Sequence, residues 1–249
     1  MSVVIPVHNE AVHLERLVEA FAQTLGDARA TVAEVLLIEN GSRDGTAEAG
    51  QRLAQRYPGW VRVVRIERAS YGEALKRGIQ VAAAPWTAIL ECDFLDVGFL
   101  QRAREQLRTE RALFAVGSKR HAQSADRRPL KRRVLTFVFN RILRVVFGFS
   151  GTDTHGLKLI RSDLARFLTG QCQTTDEVFQ TELVLLAHRL GYKVVEVPVE
   201  IREARPTPFP ILKRVPKVLK LVGEIRASLG RFRDAAARER VLTGAPPRA

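Results

Sequence analysis

The first ninety residues switch repeatedly between two hydrophobic periods, and that alternation constrains the fold more than any other feature. Residues 3–7, 35–38, 61–66 and 87–90 are short apolar runs, rich in β-branched side chains. Between them, residues 13–25, 46–56 and 71–83 carry apolar side chains at helical spacing; Leu14, Leu17, Val18 and Phe21 share one face. Strands alternating with helices predict an α/β domain with a mostly parallel sheet flanked by helices. In such sheets, ligands bind beyond the carboxyl ends of the strands.

Polar clusters stand at those ends. His8-Asn9-Glu10 follows the first strand, Glu39 to Thr46 the second, and Glu91-Cys92-Asp93 the fourth. Each alone is ordinary: Asn-Gly and Asp-Gly are turn chemistry, and Thr46 is a good helix cap. At three of the four strand ends they converge on one cleft. Glu91 and Asp93, two apart at a strand end, are placed to aim two carboxylates around one hard cation.

The rest of the chain is less regular. Residues 114–117 predict a short strand, 119–133 a basic loop, 134–147 a helix, 178–190 a second helix stopped by Gly191, and 193–199 a strand. Over 211–222, apolar residues fall opposite Lys213, Arg214, Lys217 and Lys220, with Pro216 starting or kinking that helix. The predicted organisation is one domain over 1–205, a basic amphipathic helical extension over 206–231 and a tail over 232–249. Two cysteines form neither a disulfide framework nor a zinc pattern, and no basic leader or long apolar span marks export or insertion. A cytoplasmic location is therefore expected. Residues 1–100 hold 10 Lys/Arg against 13 Asp/Glu, whereas 101–249 hold 30 against 14. So basic a second half predicts an anionic partner: a phosphate-bearing substrate, an anionic membrane or nucleic acid.

The stretches SVVIPVHNE (2–10), IENGSRDGT (38–46), YGEALKRGI (71–79), ECDFLD (91–96), VGSKR (116–120), GTDTHGLKLIRSD (151–163) and FQTELVLLAHRLGYKVVEVPVEIRE (179–203) together resemble the family 2 glycosyltransferases. Within that family they are similar to the dolichyl- and polyprenyl-phosphate sugar synthases. The resemblance implies the GT-A (Rossmann-like) fold, here with amphipathic basic helices in the second half. It also implies a nucleoside-diphosphate sugar donor and a magnesium or manganese ion bridging the diphosphate through Glu91 and Asp93. Pro6, His8, Glu10 and Glu39 would line the nucleoside pocket, with Asn40 and Asp44 shaping its loop; Lys76 and Arg202 would face the donor. Asp93, Lys119, Arg120 and Asp153 would be catalytic. A lipid monophosphate is already an anion and needs cations rather than a base, so Lys119, Arg120, Arg132 and Arg133 would hold the acceptor phosphate. Glu182, which matches an acid of the family's helix, is expected to anchor a loop.

Four positions at three sites depart from the family pattern. Glu39-Asn40 stands for Asp-Asp, Glu91 for the first acid of Asp-x-Asp, and Gln180 for an acid at the start of helix 178–190. Glutamate adds one carbon–carbon bond, about 1.5 Å; on that ground alone, Glu91→Asp is expected to preserve or raise metal-dependent turnover. The leading expectation is an inverting, metal-dependent transfer of a sugar to a polyprenyl phosphate. The protein would make peripheral contact with an anionic membrane on its cytoplasmic face, and no nucleic acid partner is expected. A soluble hydroxyl acceptor, such as a metabolite or glycan, is the second reading. A non-catalytic relative that binds anionic partners is the third.

Overall fold

The computed structural model describes residues 1–118, 130–176, 178–199 and 215–232. Seven strands form one sheet in the order β3-β2-β1-β4-β6-β5-β7. The strands are β1 (Ser2–Val7), β2 (Glu34–Asn40), β3 (Val61–Ile66), β4 (Trp86–Ile89), β5 (Phe114–Ser118), β6 (Lys158–Arg161) and β7 (Val194–Pro198). The pairs β1–β2, β2–β3, β1–β4 and β5–β7 are parallel, and only β6 runs against its neighbours. The mostly parallel sheet expected from the sequence is present.

Strand β1 is buried along all six residues because helices cover both faces. Its odd-numbered side chains, Val3, Ile5 and Val7, join those of α1 (Leu14–Leu25), α2 (Thr46–Arg56) and α4 (Val97–Thr109). Val4, with Leu36 and Ile38 of β2, packs on the other face against α3 (Tyr71–Val81), α6 (Ser162–Gln171) and α7 (Phe179–Arg189). The two-residue period of a strand thus divides one apolar run between two cores. The approach of α3 is close: a Cβ on Gly78 would stand 2.3 Å from Val4 Cγ1.

Helix α4 and the pair β6–α6 have no counterpart in the sequence reading. Helix α4 opens on Asp96, whose carboxylate accepts from the Phe99 amide at 2.8 Å and so caps the helix. Strand β6 has only four residues and draws its burial from β4 and β5 on either side. Helix α5 (Leu130–Phe147) begins earlier than expected, so residues 130–133 are helical rather than loop. Pro216 sits in the first turn of α8 (Val215–Gly230), where its missing N–H costs nothing, and the helix starts there and runs beyond residue 222. Val222, Ile225, Leu229 and Phe232 pack into the core, so the described apolar face of α8 is already covered.

Glu182 is fully buried and does anchor a loop. It accepts from the amides of Gln173 at 2.9 Å and Thr174 at 2.8 Å, and the Ser228 hydroxyl of α8 donates to it as well. Two tests follow from these contacts. Gly78→Ala should lower unfolding stability by about 1–3 kcal/mol, read by urea denaturation, because Val4 is held in a central strand and cannot yield. Glu182→Ala should cost at least as much, since three or more buried donors lose their acceptor.

Candidate active site

The loops after β1 and β2 are laced into one wall. His8 Nδ1 lies 2.7 Å from the Asn40 carbonyl; a carbonyl only accepts, so Nδ1 carries the proton and Nε2 accepts from Asn9 Nδ2 at 3.1 Å. Asn9 also receives the Arg43 amide at 3.0 Å, and the Asn9 amide reaches the Ser42 hydroxyl at 3.0 Å. Asp44 accepts from the Ala11 amide at 3.2 Å and from the Thr46 hydroxyl, which in turn accepts from the Glu10 amide at 2.8 Å. Thr46 therefore ties two loops together, and its side chain does not cap α2. The Thr46 hydroxyl is also the main reason that Asp44 titrates below the usual carboxylate range. Gly41 makes the turn with φ +61°, where a Cβ would meet the Ala69 amide nitrogen at 2.8 Å. Asn40 Oδ1 accepts from Ser70 at 2.7 Å, which fastens the segment leading into α3 to the same wall.

Glu39 lies at the centre of this wall and is only 1% exposed. Its Oε1 accepts from the Ser42 amide at 2.6 Å. Arg65 Nε stands 3.1 Å from Oε2, near enough for an ion pair, yet it is not aligned to hydrogen-bond, and Oε2 has no hydrogen-bond partner. A buried carboxylate oxygen with unfilled lone pairs is suited to accept an N–H or O–H from a ligand.

ECDFLD is a tight turn, closed by the Phe94 amide on the Glu91 carbonyl at 2.9 Å. Cys92 points into the core, Asp93 is exposed, and Glu91 is half-buried with Oε1 accepting from Gln180 Nε2 at 2.9 Å and from the Tyr71 hydroxyl. Burial, then the charge of Glu91, pushes the Tyr71 phenol well above its usual pKa, so it stays a donor. The charge of Asp93 contributes, least of all, in the same direction. Among the described residues no group of three or more His, Cys, Asp or Glu forms a metal cage. A pair of hard carboxylates without a cage suits an ion completed by phosphate oxygens and water, as magnesium and manganese often are.

Asp153 is buried and turns back on its own loop, accepting from the His155 amide at 3.0 Å. That loop is tied to β7 through Thr152 and Glu196, to α7 through Thr154 and Thr181 at 3.0 Å, and to α5 through Asn140 on the Thr152 carbonyl. A cavity of about 70 Å3 beside it is lined by Phe137, Asn140, Arg141, Arg144, Gly151 and Thr152. Lys76 reaches the Cys172 carbonyl at 3.0 Å instead of the strand-end clusters. Pro6 pairs with Ile38 inside the sheet. Lys119, Arg120 and Arg202 lie outside the described residues, as do the side chains of Arg132 and Arg133. A larger cavity, about 550 Å3, borders Met1, Trp86, Leu100 and Arg104 at the amino ends of β1 and β4, away from these groups.

The model of one protein family, glycosyl transferase family 2, matches residues 2–195. The chain belongs to that family. Glycosyltransferase AglD of Haloferax volcanii is 28% identical over 203 residues, covering 80% of this chain but 32% of its own length. A dolichyl-phosphate beta-glucosyltransferase of Dictyostelium discoideum is 23% identical over 226 residues, covering 84% of this chain and 69% of its own. Among solved structures, glucosyl-3-phosphoglycerate synthase of Mycobacterium tuberculosis, in complex with Mn2+, uridine-diphosphate and phosphoglyceric acid, superposes with a TM-score of 0.65. That match has 20% identity and covers 94% of this chain and 79% of that one. A mannosyltransferase of Pyrobaculum calidifontis with GDP-Man and Mn2+ gives 0.58 at 18% identity, covering 98% and 78%. These likenesses establish a glycosyltransferase domain with the GT-A fold.

The geometry of Asp44 predicts a pH effect. Its folded pKa is depressed, so its contribution to stability is complete above the unfolded value, about 3.9, and fades as pH falls below it. Asp44→Asn should lower the thermal midpoint at neutral pH, and the gap from the unmodified protein should close on acidification below about pH 4.

Proposed function

We propose that this domain transfers a sugar from a nucleoside diphosphate to a polyprenyl phosphate, with inversion, at the carboxyl edge of β1, β2 and β4. The observation that carries the reading is the pair Glu91 and Asp93 on a closed turn at the same sheet edge as the buried, incompletely partnered Glu39. Glu39 Oε2 would accept from the base or ribose, while Pro6, His8, Asn40 and Asp44 shape that end of the cleft. Glu91 and Asp93 would hold a magnesium or manganese ion on the donor diphosphate. The ion's chemistry there is to neutralise charge on the departing diphosphate.

The acceptor phosphate is anionic at neutral pH, so its oxygen attacks the anomeric carbon with no proton to be removed. Cations must offset the approach of two phosphate groups. Arg141 and Arg144 of α5 border the small cavity next to the Asp153 loop and join Lys119, Arg120, Arg132, Arg133 and Arg202 as candidates. Similarity to a dolichyl-phosphate enzyme supports the lipid acceptor. So does the outer face of α5: Phe137 is 54% exposed, Val138 47% and Val145 77%, with exposed Arg141 and Arg144 among them. Residues 130–148 contain no acid. Apolar side chains interleaved with arginines suit the interface of an anionic leaflet, where each cation adds about 1 kcal/mol. Attachment of this domain would be peripheral and cytoplasmic; no described helix is long and apolar enough to cross a membrane.

A soluble hydroxyl acceptor would instead need a base, for which Asp153 is the candidate; the phosphoglycerate complex of a structural relative favours keeping this reading. Incubation with radiolabelled nucleotide sugars and polyprenyl phosphate discriminates the two. Label in the lipid phase is expected; label confined to water-soluble acceptors would overturn the lipid reading, and no turnover with either metal would favour a non-catalytic binder. Asp93→Ala should abolish metal-dependent turnover. Phe137→Glu with Val145→Glu should reduce co-sedimentation with phosphatidylglycerol vesicles several-fold, without changing nucleotide-induced thermal stabilisation.

A further inference from the structure

Behind Glu91, three polar side chains run through the interior in a fixed direction. Lys158, the first residue of β6, is fully buried, and its Nζ donates to the Gly156 carbonyl at 2.9 Å and to Gln180 Oε1. An ammonium has donors only, so it sets the orientation of the Gln180 amide: oxygen toward Lys158, nitrogen away from it. The nitrogen then donates to the Tyr71 oxygen and, at 2.9 Å, to Glu91 Oε1. Having accepted from Gln180, the Tyr71 hydroxyl donates in its turn to the same Glu91 oxygen. Every bond in the row points from Lys158 toward Glu91, and none can be reversed without facing donor against donor.

We propose that Lys158, Gln180 and Tyr71 are positioning residues that hold Glu91 Oε1 from the interior and present the other carboxylate oxygen to a divalent cation shared with Asp93. This rests on the reading of Glu91 and Asp93 as the grip on a metal–diphosphate. Two departures from the family pattern then have one explanation. A carboxylate at position 180 would satisfy Lys158 but set a like charge about 3 Å from Glu91; the neutral amide passes the donor character on instead. The additional length of glutamate at position 91 is occupied by the reach to Tyr71 and Gln180. An aspartate there is about 1.5 Å shorter and falls back from both. Glu91→Asp should therefore weaken the site, the reverse of what the side-chain chemistry alone suggests.

The test needs no turnover. Binding of Mn2+ is measured by electron paramagnetic resonance titration in the presence of UDP, and separately GDP, for the unmodified protein and Tyr71→Phe, Gln180→Glu, Glu91→Asp and Asp93→Ala. Thermal midpoints without metal serve as a check on folding. Tyr71→Phe and Gln180→Glu should each raise the Mn2+ dissociation constant about 10-fold or more, with midpoints near that of the unmodified protein for Tyr71→Phe. The bound-ion line shape should change, a readout that a merely structural hydroxyl would leave alone. If Asp93→Ala loses Mn2+ but Tyr71→Phe and Gln180→Glu bind as the unmodified protein does, the positioning role is wrong and the metal grip stands. If the unmodified protein and Asp93→Ala bind Mn2+ equally weakly with both nucleotides, the grip itself is wrong and the inference goes with it.

Discussion

Strand β1 is hydrogen-bonded on both sides, to β2 and to β4, and the candidate site depends on that register. Ser2 pairs with Glu34 and with Thr87, so the three strands start level and their carboxyl ends open at one edge. Parallel strands require it: each must return through a helix, and the loops that leave the sheet all gather on one side. His8, Glu39 and the turn at Glu91 are brought together by this pairing, although they are distant in sequence.

The loops at that edge are rigid for a reason that can be counted in partners. Asn9, Ser42, Asp44 and Thr46 exchange bonds across the two loops, and Asn40 adds the segment before α3. Most polar groups in the wall are used up by the protein itself. Glu39 Oε2 is different, being buried with an ion pair but without a hydrogen bond. A wall built this way leaves few groups for a ligand and fixes where they are, which lowers the ordering cost of binding.

On the opposite side of the turn, the protein spends buried polarity rather than apolar packing. A lysine, an amide and a phenol in the interior are costly unless each donor finds an acceptor, and in this row each does. The direction of the row is set at its buried end by Lys158, and its effect is felt at Glu91. The basic surface is separate from it: Arg141 and Arg144 stand on the outer face of α5, among exposed apolar side chains.

The sequence by itself determined the sheet-and-helix alternation, the parallel class and the edge at which polar clusters meet, because strand and helix periods are local properties written into β1, β2 and α1. It also marked Glu91, Asp93 and Glu39 by residue type and place. Helix α4 was hidden because the capping role of Asp96 shows only in its bond from the Phe99 amide, and β6 because four residues give too short a period to detect. Tertiary structure alone decided what surrounds each candidate. Lys76 turns to the Cys172 carbonyl, α8 commits its described apolar face to the core, and Tyr71, Lys158 and Gln180 meet behind Glu91 from three separate elements. No local pattern announces such a meeting; it follows from long-range packing, in which α3, β6 and α7 converge on one point.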